Sequence, residues 1–189
     1  MLERTAASLA DLYETQHEGK AELVRGELVL MSPASGRHGR MSLRIARSLQ
    51  EHEERYGGGV AFPDNVGFAV DLPDRKSFSP DAAWLAGVND DEIDMYFVEA
   101  TPTFAVEIRS KDEYGPSAEA AIRQKIDDYF AAGTLVVWDI DLLGTDVVRS
   151  YHVEHPQQPV IFRRGDQATA EPAVIGWRFA VNALFKGGR

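Results

Sequence analysis

The sequence predicts an α/β protein with a mixed central sheet flanked by helices. Residues 103–141 have the pattern of a strand, a helix of about four turns and a second strand, which is typical of a crossover between parallel strands. Residues 38–55 have helical periodicity, and several short apolar runs bounded by turn residues have the length of strands. No repeat or linker interrupts the chain, so a single domain over residues 1–189 is expected.

The first half of the chain begins with weak helical character at residues 6–16. Residues 22–31 then indicate two short strands that turn at Arg25 and Gly26. The helix predicted at 38–55 has one apolar stripe, and a run of three glycines ends it. The members of the stripe are Met41, Ile45, Leu49 and His52.

Two apolar runs follow the glycines, NVGFAVDL at 65–72 and FSPDAAWL at 78–85. The turn residues between them favour an antiparallel pair of strands. The acidic segment 86–101 is expected to be a surface loop or a short helix.

The crossover unit has recognisable helix boundaries. Ser117 is a suitable N-cap for a helix over 117–132, Glu119 complements the helix dipole, and Gly133 is a suitable C-terminal stop. The apolar runs beyond residue 145 predict a hairpin extension closed by a short C-terminal element.

The composition excludes several classes of protein. No apolar run approaches the ~18 residues that span a bilayer, and the absence of cysteine excludes disulfides, thiolate nucleophiles and cysteine-ligated metals. The N-terminal residues lack an apolar targeting segment, so a cytoplasmic location is expected. The net charge of −10 argues against broad polyanion binding but leaves a local basic patch open.

Glu107 and Arg109 raise the first question of chemistry, because they end an otherwise apolar strand. Residues two apart on a strand project from the same face, with Cα atoms roughly 6–7 Å apart. An ion pair where the chain leaves the core is the simpler explanation, and such pairs are individually worth little.

Two further residues, Asp81 and Lys125, favour a functional site over a simple ion pair. Asp81 opens another apolar run, and if that run lies beside 103–110 the carboxylates of Asp81 and Glu107 converge. Two close carboxylates require protonation or a cation, and Mg²⁺ suits oxygen ligands. Lys125 falls on the margin of the apolar helix stripe, where its ammonium can reach beyond the core. Ordinary snorkelling at a core boundary is the alternative reading of Lys125.

The order of four motifs resembles a known family. AELVRGELVLMSPASGRHGRMSLRIARSL, SPDAAWL, FAVEIRS and RQKIDDYFAAGTLVVWDID together resemble the Uma-two family of bacterial restriction-endonuclease-like proteins, within the PD-(D/E)XK nuclease superfamily. The resemblance implies a restriction-endonuclease-like core at about 20–152, made of a helix, a three-stranded meander, a crossover helix and a fourth strand. The segment 145–189 would be a C-terminal strand extension.

The resemblance also implies metal-dependent hydrolysis of DNA and assigns residues to it. Asp81 and Glu107 would be the two acids, and Lys125 would supply the lysine from the following helix. Glu22 matches a recurrent family glutamate and would be a third acid near the metal, while His38 matches a recurrent histidine.

The chain departs from the family pattern at Arg109, where an apolar residue is usual. Arginine cannot act as a general base, but it can hold a phosphate oxygen. The resulting hypothesis has Asp81, Glu107 and the backbone carbonyl of Ile108 holding one or two Mg²⁺ ions, for which Mn²⁺ would substitute. Lys125 would stabilise developing charge, and Arg109 would clamp the phosphate.

A basic stripe on the first long helix is a candidate contact surface for DNA phosphates; its members are Arg37, Arg40, Arg44 and Arg47. A solvated face that offsets nearby glutamates is the alternative. A homo-oligomer, most simply a dimer, is also expected. The rival to a nuclease is a catalytically silent nuclease-fold protein that binds nucleic acid or a protein partner.

Overall fold

The computed structural model of the protein describes residues 6–15 and 19–185. Its α-helices are α1 (Leu9–Glu14), α2 (Gly36–Tyr56) and α3 (Pro116–Ala132). Its strands, in chain order, are β1 (Ala21–Val24), β2 (Glu27–Leu30), β3 (Gly59–Phe62), β4 (Phe68–Ala69), β5 (Ser77–Phe78), β6 (Ala82–Ala86), β7 (Phe104–Ile108), β8 (Val136–Ile140), β9 (Val148–His152), β10 (Val160–Phe162), β11 (Gln167–Thr169) and β12 (Arg178–Ala180). Two 3-10 helices lie at Asp90–Glu92 and Val181–Phe185.

A six-stranded sheet lies at the centre, in the order β10-β9-β8-β7-β6-β3. Strands β7 and β8 are parallel, and every other neighbouring pair in this sheet is antiparallel. The predicted mixed sheet and the predicted crossover are therefore confirmed, with α3 connecting the two parallel strands. Strands β3, β6 and β7 form the three-stranded meander that the family resemblance implied.

The two long helices cover opposite faces of this sheet, and alternate residues of β7 show the division. Phe104 and Val106 pack in one core with the α2 residues Ile45 and Leu49, whereas Ala105 packs with Ile126 of α3. All four members of the predicted α2 stripe are buried. Since side chains alternate along a strand, the residue after Val106 projects towards α3.

The ends of α3 follow from its terminal residues. Pro116 occupies the first turn, where a missing backbone N–H costs nothing, and Gly133 ends the helix in the left-handed conformation with φ 111°. The prediction of Ser117 as N-cap is wrong, because the helix begins one residue earlier and Gly115 occupies the cap position.

The expected pairing of 65–72 with 78–85 is only partly correct. Strands β4 and β5 do pair, but over two residues each, and β6 belongs to the central sheet instead. Strand β3 was not predicted, because its first residue, Gly59, is the last of the three glycines read as a turn. The segment from Asp64 to Asp81 is therefore an excursion between two paired strands of the central sheet.

Two predicted hairpins, one before α2 and one after β8, are confirmed. Strands β1 and β2 turn at Arg25 and Gly26, and β9 and β10 form an antiparallel pair. Strands β11 and β12 form a separate pair, and Trp177 and Leu184 beside them close the core on the α2 side. Among the described residues, no helix combines the length and apolar character needed to cross a bilayer.

Candidate active site

Asp81 and Glu107 occupy neighbouring positions at one end of the central sheet. Ala82 pairs with Val106 across the antiparallel strands β6 and β7, so Asp81 lies one residue before this pair and Glu107 one residue after it. The Asp81 N–H donates to the Val106 carbonyl at 2.9 Å, and Asp81 Oδ2 accepts the Ile108 N–H at 2.7 Å. Asp81 and Glu107 therefore lie at adjacent positions of the two strands, and the charge of Asp81 acts on the Glu107 carboxylate.

Two side chains of α3 bind the Glu107 carboxylate. Tyr129 donates from its hydroxyl to Oε1 at 2.6 Å, and Lys125 Nζ lies 2.9 Å from Oε2. Burial raises the pKa of the Glu107 carboxyl; the charge of Lys125 opposes this shift, and those of Asp81 and Glu22 add to it. Among the acids at this site, Glu107 is therefore the one whose ionised form would gain most from a bound cation.

Lys125 joins two acids. Its ammonium lies 2.9 Å from Glu107 Oε2 and 2.9 Å from Glu22 Oε1. Burial acts to lower the pKa of Lys125, but the charges of Glu107 and Glu22 outweigh it and raise that pKa above the ordinary value. The ammonium is thus a fixed positive charge at neutral pH rather than a proton acceptor.

Glu22 is a buried anion that connects the β1–β2 hairpin to α3. Its Oε2 lies 2.6 Å from Arg75 Nη1, and its Oε1 also accepts the Ser79 N–H at 3.0 Å. Burial opposes ionisation, but Lys125 and Arg75 hold the pKa of Glu22 below its usual range. Arg75 in turn binds Asp128 of α3 at 2.8 Å, so the hairpin and the helix share a network of charges.

A second group of charges surrounds Asp81. Its Oδ1 lies 3.0 Å from His38 Nε2 and 3.2 Å from Lys20 Nζ, and Lys20 also binds Asp64 at 2.7 Å. Burial opposes ionisation of Asp81, but the hydrogen bond from His38 and the charge of Lys20 lower its pKa. The hydrogen bond to Asp81 raises the pKa of His38, although burial acts in the opposite direction.

The donors at this position fit a hard divalent cation. His38, Asp64 and Asp81 each offer a ligand atom, and these atoms lie within 4.8 Å of one another. Glu107 is not one of these three residues, but burial and neighbouring acids disfavour ionisation of its carboxylate, and a divalent cation nearby would relieve that cost. Carboxylate oxygens are the ligands that Mg²⁺ prefers.

Arg109 does not fit the predicted role of phosphate clamp. Its guanidinium binds Asp139 through Nε at 2.7 Å and Nη2 at 2.6 Å, and Glu119 through Nη1 and Nη2. The Arg109 side chain is 3% exposed. Hydrogen bonds to Asp139, and then to Glu119, raise its pKa despite burial. Arg109 therefore neutralises the buried Asp139 of β8, pairs with the exposed Glu119 of α3, and has little surface left for a substrate.

The basic stripe on α2 is not a uniform contact surface. Arg44 turns back to the carbonyl oxygens of Ala183 and Leu184, at 3.3 and 2.7 Å, so it holds the C-terminal 3-10 helix. Arg37 donates to the Leu142 carbonyl at 3.2 Å, and Arg47 pairs with Glu51 on the same helix. Arg40 is exposed. The prediction that all four arginines track DNA phosphates therefore does not fit Arg44.

Three residues around the two acids were not predicted from the sequence: Lys20, Asp64 and Tyr129. Tyr129 carried a usable signal, because it follows Lys125 by four residues and so lies on the same side of α3. Lys20 and Asp64 gave none, since contacts across 44 and 61 residues of sequence depend on how the excursion between β3 and β6 folds.

The fold is shared with a solved structure described as "a putative nuclease belonging to DUF820" from Anabaena variabilis. The TM-score is 0.70 at 18% identity, over 92% of this chain and 96% of that one. The fold and the paired acids thus define a protein of the nuclease fold class. The sequence profile of the Uma2 (Uma-two) family, described as "Putative restriction endonuclease", matches residues 7–182. The chain belongs to the Uma2 family. No curated protein matches it.

Proposed function

We propose that the protein is a Mg²⁺-dependent endonuclease that hydrolyses DNA phosphodiester bonds. One observation carries the proposal: Asp81 and Glu107 flank the same Ala82–Val106 pair at one end of the sheet, and Lys125 binds Glu107 at 2.9 Å. The family description names a restriction endonuclease, which supports DNA as the substrate.

Asp81 and Glu107 would hold the metal, with His38 and Asp64 as nearby donors and the Ile108 carbonyl as a proposed backbone ligand. Mn²⁺ would substitute for Mg²⁺. A bound divalent cation polarises a phosphate oxygen and lowers the pKa of a coordinated water.

The side chains around the acids would orient them and balance their charge. Lys125 carries a fixed positive charge beside Glu107 and would stabilise negative charge that develops on the phosphate. Tyr129 would hold the Glu107 carboxylate in one orientation, and Glu22 would do the same for the Lys125 ammonium. Arg109 has no part in this proposal.

The catalytically silent alternative has support from a specific observation. Lys20 and His38 already bind Asp81 Oδ1, and Lys125 already binds Glu107, so both predicted metal ligands have partners within the chain. A protein of this fold that only binds nucleic acid would need no metal at all.

Cleavage of supercoiled plasmid with Mg²⁺ or Mn²⁺ tests the proposal. We expect the parent protein to nick the plasmid, and we expect Asp81→Asn, Glu107→Gln and Lys125→Ala each to lower the rate roughly 100-fold or more. Lys76→Ala is the matched lysine control, because Lys76 pairs with exposed Asp71 away from the site. Equal rates for all variants would indicate a contaminating nuclease. Binding of DNA without cleavage would support the silent alternative.

A further inference from the structure

Lys20 binds Asp81, one of the two acids that would hold the proposed metal. Its Nζ lies 3.2 Å from Asp81 Oδ1, which also accepts a hydrogen bond from His38, and 2.7 Å from Asp64. Two cations on one oxygen repel each other strongly at such distances, particularly where burial limits screening. A divalent cation at Asp81 Oδ1 would therefore compete with Lys20 for that oxygen.

The acids around Lys20 stabilise its protonated, positively charged form. Burial acts to lower the pKa of Lys20, but the charges of Asp81, Glu107 and Asp64 outweigh it and raise that pKa. The Lys20 side chain is 17% exposed. Lys20 thus takes the place of a metal ion in one respect, since it supplies positive charge to Asp81, to Asp64 and at longer range to Glu107.

A cavity beside the site offers the Lys20 ammonium a second position. Lys20 lines this cavity of about 350 Å³, together with Asn65, Ser79, Met95, Tyr96 and Phe97. A lysine ammonium is carried on a flexible four-carbon stem, so it can change position without a change in the backbone. Two of the residues that line this cavity, Met95 and Tyr96, are exposed, so the cavity opens to solvent.

We propose that Lys20 is the resident counter-cation of Asp81 and Asp64 in the metal-free protein, and that a divalent cation displaces it into the adjoining cavity. There the ammonium would be free to bind a substrate phosphate. The inference rests on the proposed metal position at Asp81, and it adds a residue that links metal binding to substrate binding.

Chemical labelling of the native protein tests the displacement directly. An acylating reagent at limiting concentration modifies free ammonium groups, and mass spectrometry measures the modification at each lysine. We expect Mn²⁺ to increase the modification of Lys20 several-fold and to leave that of Lys76 unchanged. Equal or lower modification of Lys20 in saturating Mn²⁺ would overturn the inference.

Metal binding by Lys20→Met gives the second measurement. We expect this variant to melt at a lower temperature than the parent without metal, and to bind Mn²⁺ roughly three- to tenfold more tightly by calorimetry. Loss of a positive charge would by itself tighten binding, so the labelling result decides whether Lys20 moves. An unchanged dissociation constant would contradict the competition.

Asp81→Asn separates this inference from the proposed function. If Mn²⁺ binds the parent but not Asp81→Asn, and Lys20 labelling does not respond, the inference fails while the proposed function stands. If no divalent cation binds the parent at all, both fail.

Discussion

The Tyr129 hydroxyl donates a hydrogen bond to Glu107 Oε1 at 2.6 Å, while the Tyr129 ring stacks on Phe78 at a centroid distance of 3.9 Å. Tyr129 is fully buried. A ring fixed in the core therefore holds one oxygen of the Glu107 carboxylate, while Lys125 binds the other.

Tyr129→Phe should preserve the ring stack and remove this single hydrogen bond. We expect a loss of about 1–2 kcal/mol in the free energy of unfolding, because a buried carboxylate loses a donor. We also expect Mn²⁺ to bind roughly tenfold more weakly, as is common when a partner of a metal ligand is removed. Urea denaturation and calorimetry measure the two effects. Full Mn²⁺ affinity in this variant would show that Tyr129 does not position Glu107.

Arg109→Leu should destabilise the protein because it leaves Asp139 buried beside too little positive charge. Asp139 is 1% exposed and is bound by Arg109 and, at 3.4 Å, by Arg149. Breaking a buried pair in this way costs about 3–5 kcal/mol. Arg47→Leu is the matched control, since it breaks an exposed pair with Glu51 and should cost less than about 1 kcal/mol. Equal stability of the two variants in urea would contradict the structural role of Arg109.

Gly59→Ala tests the pairing of β3 with β6. A Cβ at Gly59 would meet the Leu85 carbonyl oxygen and lie 2.8 Å from Ala86 Cα, so the two strands would have to separate. We expect a loss of about 1–3 kcal/mol in the free energy of unfolding. Gly36→Ala, at the start of α2, meets nothing within 4 Å and should leave stability unchanged or slightly higher. A neutral Gly59→Ala would show that the strands are not in this register.

His152 should contribute to the pH dependence of stability. Burial lowers its pKa in the folded protein, with Glu154 opposing and His155 adding to the shift. The unfolded chain then binds a proton more readily, so stability falls as pH drops through the unfolded value of about 6.5 towards the lower folded pKa. His152→Gln should remove this part of the loss, measured as melting temperature against pH. His155→Gln should show a smaller loss of stability at low pH than the parent, because the charge of exposed His155 adds to the shift at His152.

The parts of the site that lie on regular elements could be predicted from the sequence. Asp81 and Glu107 each flank an apolar run, and they were expected to converge on the condition that the two runs are neighbours, as β6 and β7 are. Lys125 could be placed because helical periodicity reports the direction of each side chain. These features depend on short stretches of sequence, and the same stretches form the corresponding strands and helix in the structure.

Arg109 shows where local signals fail. Its partner Asp139 lies on β8, which pairs with β7 in parallel and places Asp139 opposite Glu107. The acids in the segment WDID were visible in the sequence, but their register against β7 was not. Lys20 and Asp64 were missed for the same reason, because long-range contacts in loops leave no periodic pattern.

Helix α3 contacts both polar residues at the end of β7. Glu107 meets Lys125 and Tyr129, and Arg109 meets Glu119, which lies six positions before Lys125 on the same helix. The helix therefore fixes the angle, about its axis, between the side chains that contact Glu107 and the side chain that contacts Arg109. Deleting one residue between Glu119 and Lys125 would turn one contact about 100° away from the other. We therefore expect length variation in this family to fall in the loop before α3, and not within it.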